Sequence, residues 1–151
     1  MTFEAESEPD IQVFRPDRPG IRKVLGDLEA EIMDLIWARP AGQGTTVREI
    51  FTILYERRKT AYTTVMNTMT RMAKKHLLRV EKKDQAYVYY PNLSQHEFIT
   101  RFVGRILEDL LVNFTGATLE SLQTLSDQAT ASQVRHLLDD ITRRRAQEEK
   151  E

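Results

Sequence analysis

The sequence predicts a mainly α-helical protein with one small β-hairpin near the middle of the chain. Three observations support that class. Apolar residues recur at three- and four-residue spacing over most of the chain, the period of amphipathic helices. Two capping boxes, "TVRE" and "SQHE", mark helix starts. One stretch, "LLRVEKKDQAYVYYP", holds two runs of strand-favouring residues joined by a polar turn and ended by proline.

In chain order, residues 1–24 come first, with three prolines, a glycine and little periodicity; they read as a flexible arm. The arm turns from acidic to basic at "FRPDRPGIRK", and the residues leave three roles open for Arg15, Arg18, Arg22 and Lys23: a minor-groove arm, filler, or a contact to the C-terminal part. A first helix follows, with Leu28, Ile32, Leu35 and Ile36 on one stripe, Glu29, Glu31 and Asp34 off it, and Trp37 closing it. "RPAGQG" stops this helix. The second helix starts at the first capping box, where Thr46 accepts from the Glu49 amide and Glu49 reaches back. Val47, Ile50, Phe51 and Leu54 then face inward.

The third helix lies in "KTAYTTVMNTMTRMAKK", with Thr60 as its expected N-cap. At about 100° per residue, Val65, Thr68, Met69 and Met72 share one side. Thr63, Asn67, Thr70 and Lys74 share the other, with Thr64, Met66 and Arg71 at its shoulders. A solvated helix face usually carries Glu and Lys, which are better helix formers than Thr or Asn. Short hydroxyl and amide side chains suit a helix whose backbone approaches base edges: threonine can bond to bases or touch the thymine methyl, and asparagine can pair bidentately with adenine.

In the hairpin, Leu78, Val80, Ala86, Val88 and tyrosines 87, 89 and 90 suit strands, and Lys83, Asp84 and Gln85 form the connection. Three helices followed by a hairpin is the order of a winged helix-turn-helix. In such modules the third helix enters the major groove and the hairpin lies along the backbone or the adjacent minor groove.

Charge supports this reading while leaving a second one open. The net charge is −1, yet residues 57–83 hold nine Lys/Arg against one Asp/Glu, between flanking segments that are both acidic overall. Such a block is either a face for a polyanion or a solvated surface.

After Pro91 a second module begins. Ser94 and Glu97 open a helix with Phe98, Phe102, Val103, Ile106, Leu107, Leu110 and Leu111 on one broad face. Leu119, Leu122 and Leu125 mark a short helix; Val134, Leu137, Leu138 and Ile141 mark a last one before the charged tail "RRRAQEEKE". Three amphipathic helices in so short a segment bury their faces poorly alone, which favours pairing with a second chain over folding back on the first module. The expected domains are therefore the arm 1–24, a winged helix-turn-helix 25–92 and a helical dimerisation domain 93–151. Phe98, Phe102, Ile106, Leu110, Leu122, Leu137, Leu138 and Ile141 are the expected dimer contacts.

The chain contains no cysteine, no glycine-rich phosphate loop, no nucleophile motif and no HExxH, so neither an enzyme nor a cofactor is expected. His76, His96 and His136 are isolated and read as surface or helix-end residues, so no metal site is expected. No apolar run approaches the roughly 18 residues of a membrane span, and "MTFEAESEPD" lacks the features of a signal peptide. No membrane insertion and a cytoplasmic location are expected.

"LGDLEAEIMDLIW", "TVREI", "AYTTVMNTMTRMAKKHLL" and "AYVYYP", in that order, resemble the penicillinase repressor family, the BlaI/MecI type of transcriptional regulators. The likeness is close over residues 25–91 and by pattern only beyond them. It implies a homodimeric winged-helix repressor of a pseudo-palindromic DNA operator. On this chain it puts Thr63, Thr64, Met66 and Asn67 at base-reading positions. Arg71, Lys82 and Lys83 are implied phosphate contacts, Lys74 at the flank of the helix is expected to be another, and Tyr62 either anchors the helix start to the backbone or packs. In some members a membrane-bound sensor metallopeptidase triggers cleavage of the C-terminal module, so an inactivating protease or sensor protein is an implied partner. Asn113–Phe114 is similar to the bond cut in those members but lies earlier in the module, and the role is not carried over. The other reading of the whole chain is a winged-helix protein-interaction module without sequence-specific DNA binding.

Overall fold

The computed structural model describes residues 9, 14–18, 20–127 and 131–150. Most of the arm, residues 1–8, 10–13 and 19, lies outside them, so its expected flexibility does too. The chain forms two compact units that divide between Phe102 and Val103.

In the N-terminal unit, the described end of the arm is locally bonded. A 3-10 helix spans Gly20–Lys23, Arg15 N–H donates to Lys23 O at 2.6 Å, and Lys23 Nζ donates to Pro16 O at 2.7 Å. Arg18 and Arg22 each approach Asp27 at 3.7 Å. Three helices follow: α1, Asp27–Trp37; α2, Val47–Arg58; and α3, Tyr62–Lys74. A hairpin comes next, β1 Leu78–Lys83 and β2 Ala86–Pro91, then the start of α4, Gln95–Asn113.

The buried face of α1 is Ala30, Ile32, Met33 and Ile36, whereas Leu28 and Leu35 of the expected stripe are half-buried. The face is rotated because α1 packs against α3 and β2 together. The capping box of α2 forms in both directions, with Glu49 N–H on Thr46 Oγ1 at 3.2 Å and Thr46 N–H on Glu49 Oε2 at 3.3 Å. Val47, Ile50 and Leu54 are buried, and Phe51 is half-buried. The helix ends at Lys59 in the left-handed region, φ 57°. The N-cap of α3 is Ala61 rather than Thr60, and no side chain caps it; the Thr60 hydroxyl instead accepts from Arg58 Nε at 3.4 Å.

The hairpin register runs from Leu78 opposite Pro91 to Lys83 opposite Ala86. Lys83 is thus a strand residue, and the connection is the pair Asp84–Gln85, at φ 48° and 68°. Two positive φ values mark a type I′ turn, whose twist matches that of the flanking strands. Thr45 adds a bridge to Tyr89, with N–H···O bonds of 2.9 and 2.8 Å in the two directions. Gly44 beside it must be glycine: a Cβ there would lie 2.0 Å from Val88 Cγ1 and 2.8 Å from Tyr90 Cζ.

The start of α4 belongs to this unit. Ser94 Oγ caps it by accepting from Glu97 N–H at 3.2 Å. Phe98 and Phe102 are buried in the single chain, at 2% and 8% exposure. Phe98 lies 5.5 Å from the Trp37 ring and 5.7 Å from Phe102, and Trp37 Nε1 donates to Leu93 O at 3.0 Å. This corrects the expectation that both phenylalanines form dimer contacts. They complete the core of their own chain, because Trp37 sits where α4 begins.

The C-terminal unit contains the rest of α4, then α5, Thr115–Asp127, and α6, Ala131–Glu148. Only Phe114 separates α4 from α5. Helix α6 runs on through most of the charged tail, where the sequence suggests that the last helix has already ended. Among the residues from Val103 onward whose burial is described, none is buried: Ile106, Leu137 and Ile141 are half-buried, while Leu110, Leu122 and Leu138 are exposed at 39, 41 and 56%. Among the described residues no helix is long and apolar enough to cross a membrane.

Candidate nucleic-acid interface

Packing fixes the orientation of α3. Val65, Met69 and Met72 are fully buried and Thr68 nearly so, and each large apolar side chain held there contributes about 1.5–3 kcal/mol. With that side locked inward, Thr63, Thr64, Met66, Asn67 and Thr70 are held in solvent. Thr64, Asn67, Thr68, Thr70, Arg71 and Lys74 line a shallow open depression along this face. The structure therefore brings Thr64 and Asn67, two of the four expected base-reading residues, together with Arg71 and Lys74, while Thr63 and Met66 are exposed on the same helix outside the depression.

Hydrogen bonding sorts these side chains further. The Thr68 hydroxyl donates to Thr64 O at 2.7 Å and the Thr70 hydroxyl to Met66 O at 2.8 Å, so both are turned back onto the helix. Thr63, Thr64 and Asn67 side chains bond to nothing among the described residues, which leaves their donors and acceptors facing outward. Arg71 Nη2 donates to Thr68 Oγ1 at 3.4 Å, which holds the guanidinium beside the depression. Tyr62 is 39% exposed while its ring meets Phe51 edge-on at 5.3 Å. It packs, and it keeps its outer side open.

The cationic block divides into two groups. Glu31 of α1 pairs with Arg57 at 3.2 Å and with Arg58, and Glu29 pairs with Lys75 at 3.1 Å. In the hairpin, Glu81 lies 3.5 Å from Arg79 and 3.8 Å from Lys83. Lys83 Nζ also donates to the Tyr90 hydroxyl at 2.7 Å, and this bond raises the lysine pKa above its ordinary value. Lysine is charged through the neutral range with or without this shift. Any stability it adds is complete below about pH 10.5 and fades only as pH climbs through the higher folded value. Lys59, Arg71, Lys74 and Lys82 form the second group, which meets no carboxylate among the described residues. Lys82 lies 6.0 Å from the ring of Tyr87, its cross-strand partner.

Sequence reading missed Glu29 and Glu31. Lying off the apolar stripe, they read as solvent-facing, yet their side chains are only 14% and 15% exposed. Their partners are far away in sequence, so no local signal points to them.

The chain matches the penicillinase repressor family model over residues 25–144. It is 43% identical over 75 residues to the transcriptional regulator BlaI of Mycobacterium tuberculosis, covering 50% of this chain and 53% of that protein. The chain thus spans about half the length of this relative. It is 26% identical over 98 residues to the penicillinase repressor of Bacillus licheniformis, covering 60% of this chain and 74% of that one. Among solved structures, the DNA-binding domain of the repressor BlaI is similar at 25% identity and a TM-score of 0.43, over 50% of this chain and 88% of that one. Monomeric BlaI of B. licheniformis in complex with the blaP half-operator is similar at 25% identity and a TM-score of 0.41, with the same coverage.

Proposed function

The chain belongs to the penicillinase repressor family, and from that membership we propose that it is a transcriptional repressor that binds a pseudo-palindromic DNA operator as a homodimer. The observation that carries the reading is the outer face of α3, where Thr63, Thr64 and Asn67 present unengaged polar groups on a helix locked by its buried side.

In this reading α3 lies in the major groove. Asn67 pairs with an adenine edge, Thr63 and Thr64 bond to bases or touch thymine methyls, and Met66, 39% exposed, supplies apolar contact. Arg71 and Lys74 meet phosphates at the end of the same depression, while Lys82 and Tyr62 add backbone contacts that position the helix without reading sequence; Lys83 adds another by turning from Glu81 and the Tyr90 hydroxyl. A single module gives modest specificity, and a two-fold dimer doubles the half-site contacts. The exposed Leu110, Leu122 and Leu138, with half-buried Ile106, Leu137 and Ile141, are the surface proposed to pair with a second copy. An inactivating protease or sensor protein acting on the C-terminal unit would separate the copies and release the operator.

The test is selection of bound genomic fragments by the purified full chain, with Asn67→Ala run in parallel. The expected result is an inverted repeat whose recognition relaxes at one base pair per half-site in the variant, a cost of roughly 1–3 kcal/mol. Recovery of no motif, or equal recovery by both proteins, would instead favour a protein-interaction module.

A further inference from the structure

The outer side of α2 carries a strip that the base-reading face does not account for. Arg48, Phe51, Tyr55 and Lys59 follow one another at spacings of three and four residues, which places them in one row on a helix. The contacts agree with the spacing. Arg48 lies 6.0 Å from the Tyr62 ring, Tyr62 meets Phe51 at 5.3 Å, Phe51 meets Tyr55 at 5.5 Å, and Lys59 lies 4.5 Å from the Tyr55 ring. Tyr62 precedes Thr63, so the strip adjoins the start of the reading helix.

Both end cations are free of acids. Neither Arg48 nor Lys59 meets a carboxylate among the described residues, whereas Arg57 and Arg58 of the same helix are held by Glu31. Glu56, on the neighbouring row, pairs with neither of them. Lys59 also holds a left-handed conformation, φ 57°, which glycine adopts more readily than lysine.

From these observations we infer that Arg48 and Lys59 are phosphate contacts that extend the DNA footprint from α3 onto the flank of α2, with the tyrosine rings between them holding the cations in place. The inference rests on the DNA-binding reading above. At about 1.5 Å per residue the strip rises roughly 16 Å, against about 3.4 Å of duplex axis per nucleotide of a strand. The two cations therefore reach different phosphates, and neither reads sequence. Uncompensated charge at both ends favours a polyanion over a protein surface.

The deciding measurement is the salt dependence of binding to a mixed-sequence DNA duplex by the full chain, as wild type, Arg48→Gln and Lys59→Gly. Glutamine keeps helix propensity and glycine relieves the left-handed residue, so both variants are expected to fold. Removing one phosphate neutralisation makes the slope of log affinity against log salt shallower by about 0.9. The expected result is that decrease in each variant, equal on operator and non-operator DNA, with unchanged or higher thermal stability for Lys59→Gly. Wild-type slopes in both variants overturn the inference, and do so in favour of a protein-docking strip if the variants fail to retain another protein. A wild-type chain without salt-dependent DNA binding overturns the inference and the repressor reading together.

Discussion

Asn67 and Lys75 are separated by about two turns of helix and have opposite uses of polarity. The Asn67 side chain bonds to nothing among the described residues and faces solvent; Lys75, the C-cap of α3, is held by Glu29 at 3.1 Å. A cation already paired inside the protein releases few counterions on meeting DNA, because its charge is largely compensated beforehand. Lys75→Gln is therefore expected to leave the salt slope of DNA binding unchanged. Because the lysine side chain is 45% exposed, removal of the pair should cost at most about 1 kcal/mol in urea denaturation. A slope reduced by about 0.9 would show that the ion pair opens on binding.

Among the elements, the hairpin carries the most local conflict. Its type I′ turn requires positive φ at both central positions, a demand that Asn-Gly or Asp-Gly meets best. Here the second position is Gln85 at φ 68°. A left-handed conformation costs an L-residue about 1–2 kcal/mol. Gln85→Gly should accordingly raise stability by about 1 kcal/mol, read as a higher Tm, without altering the register from Leu78 to Lys83. A fall in Tm would mean that the glutamine side chain has a stabilising contact outweighing its strained backbone. Helix α3 has no such conflict, since its periodicity and its burial agree residue for residue.

For the whole molecule, the two units differ in completeness. The N-terminal unit closes a core through Ile32, Ile50, Val65, Met69, Leu78 and Phe98. The C-terminal unit has no buried residue among those whose burial is described, and it leaves leucines open on α4, α5 and α6. Open apolar surfaces of that kind mark interaction sites in folded proteins generally. If the partner is a second copy, Leu122→Asp combined with Leu138→Asp shifts the chain to monomer in sedimentation velocity. Operator affinity then falls while the N-terminal unit keeps its thermal transition. A variant that stays dimeric would move the dimer surface away from these leucines.

The sequence by itself determined the helices, the hairpin, the capping box at Thr46 and Glu49, and the two faces of α3. Each depends on neighbours within a few residues, which a period of 3.6 or 2 records directly. The exposure of Thr63, Thr64, Met66 and Asn67 was legible for the same reason. Only the tertiary structure decided which cations are free, since Glu29 and Lys75 are 46 positions apart. It also decided that Phe98 and Phe102 complete their own chain's core beside Trp37, and that Ala30 and Met33 join Ile32 and Ile36 on the buried face of α1. An apolar or charged pattern states that a side chain will be covered or paired; which surface covers it depends on how distant segments pack.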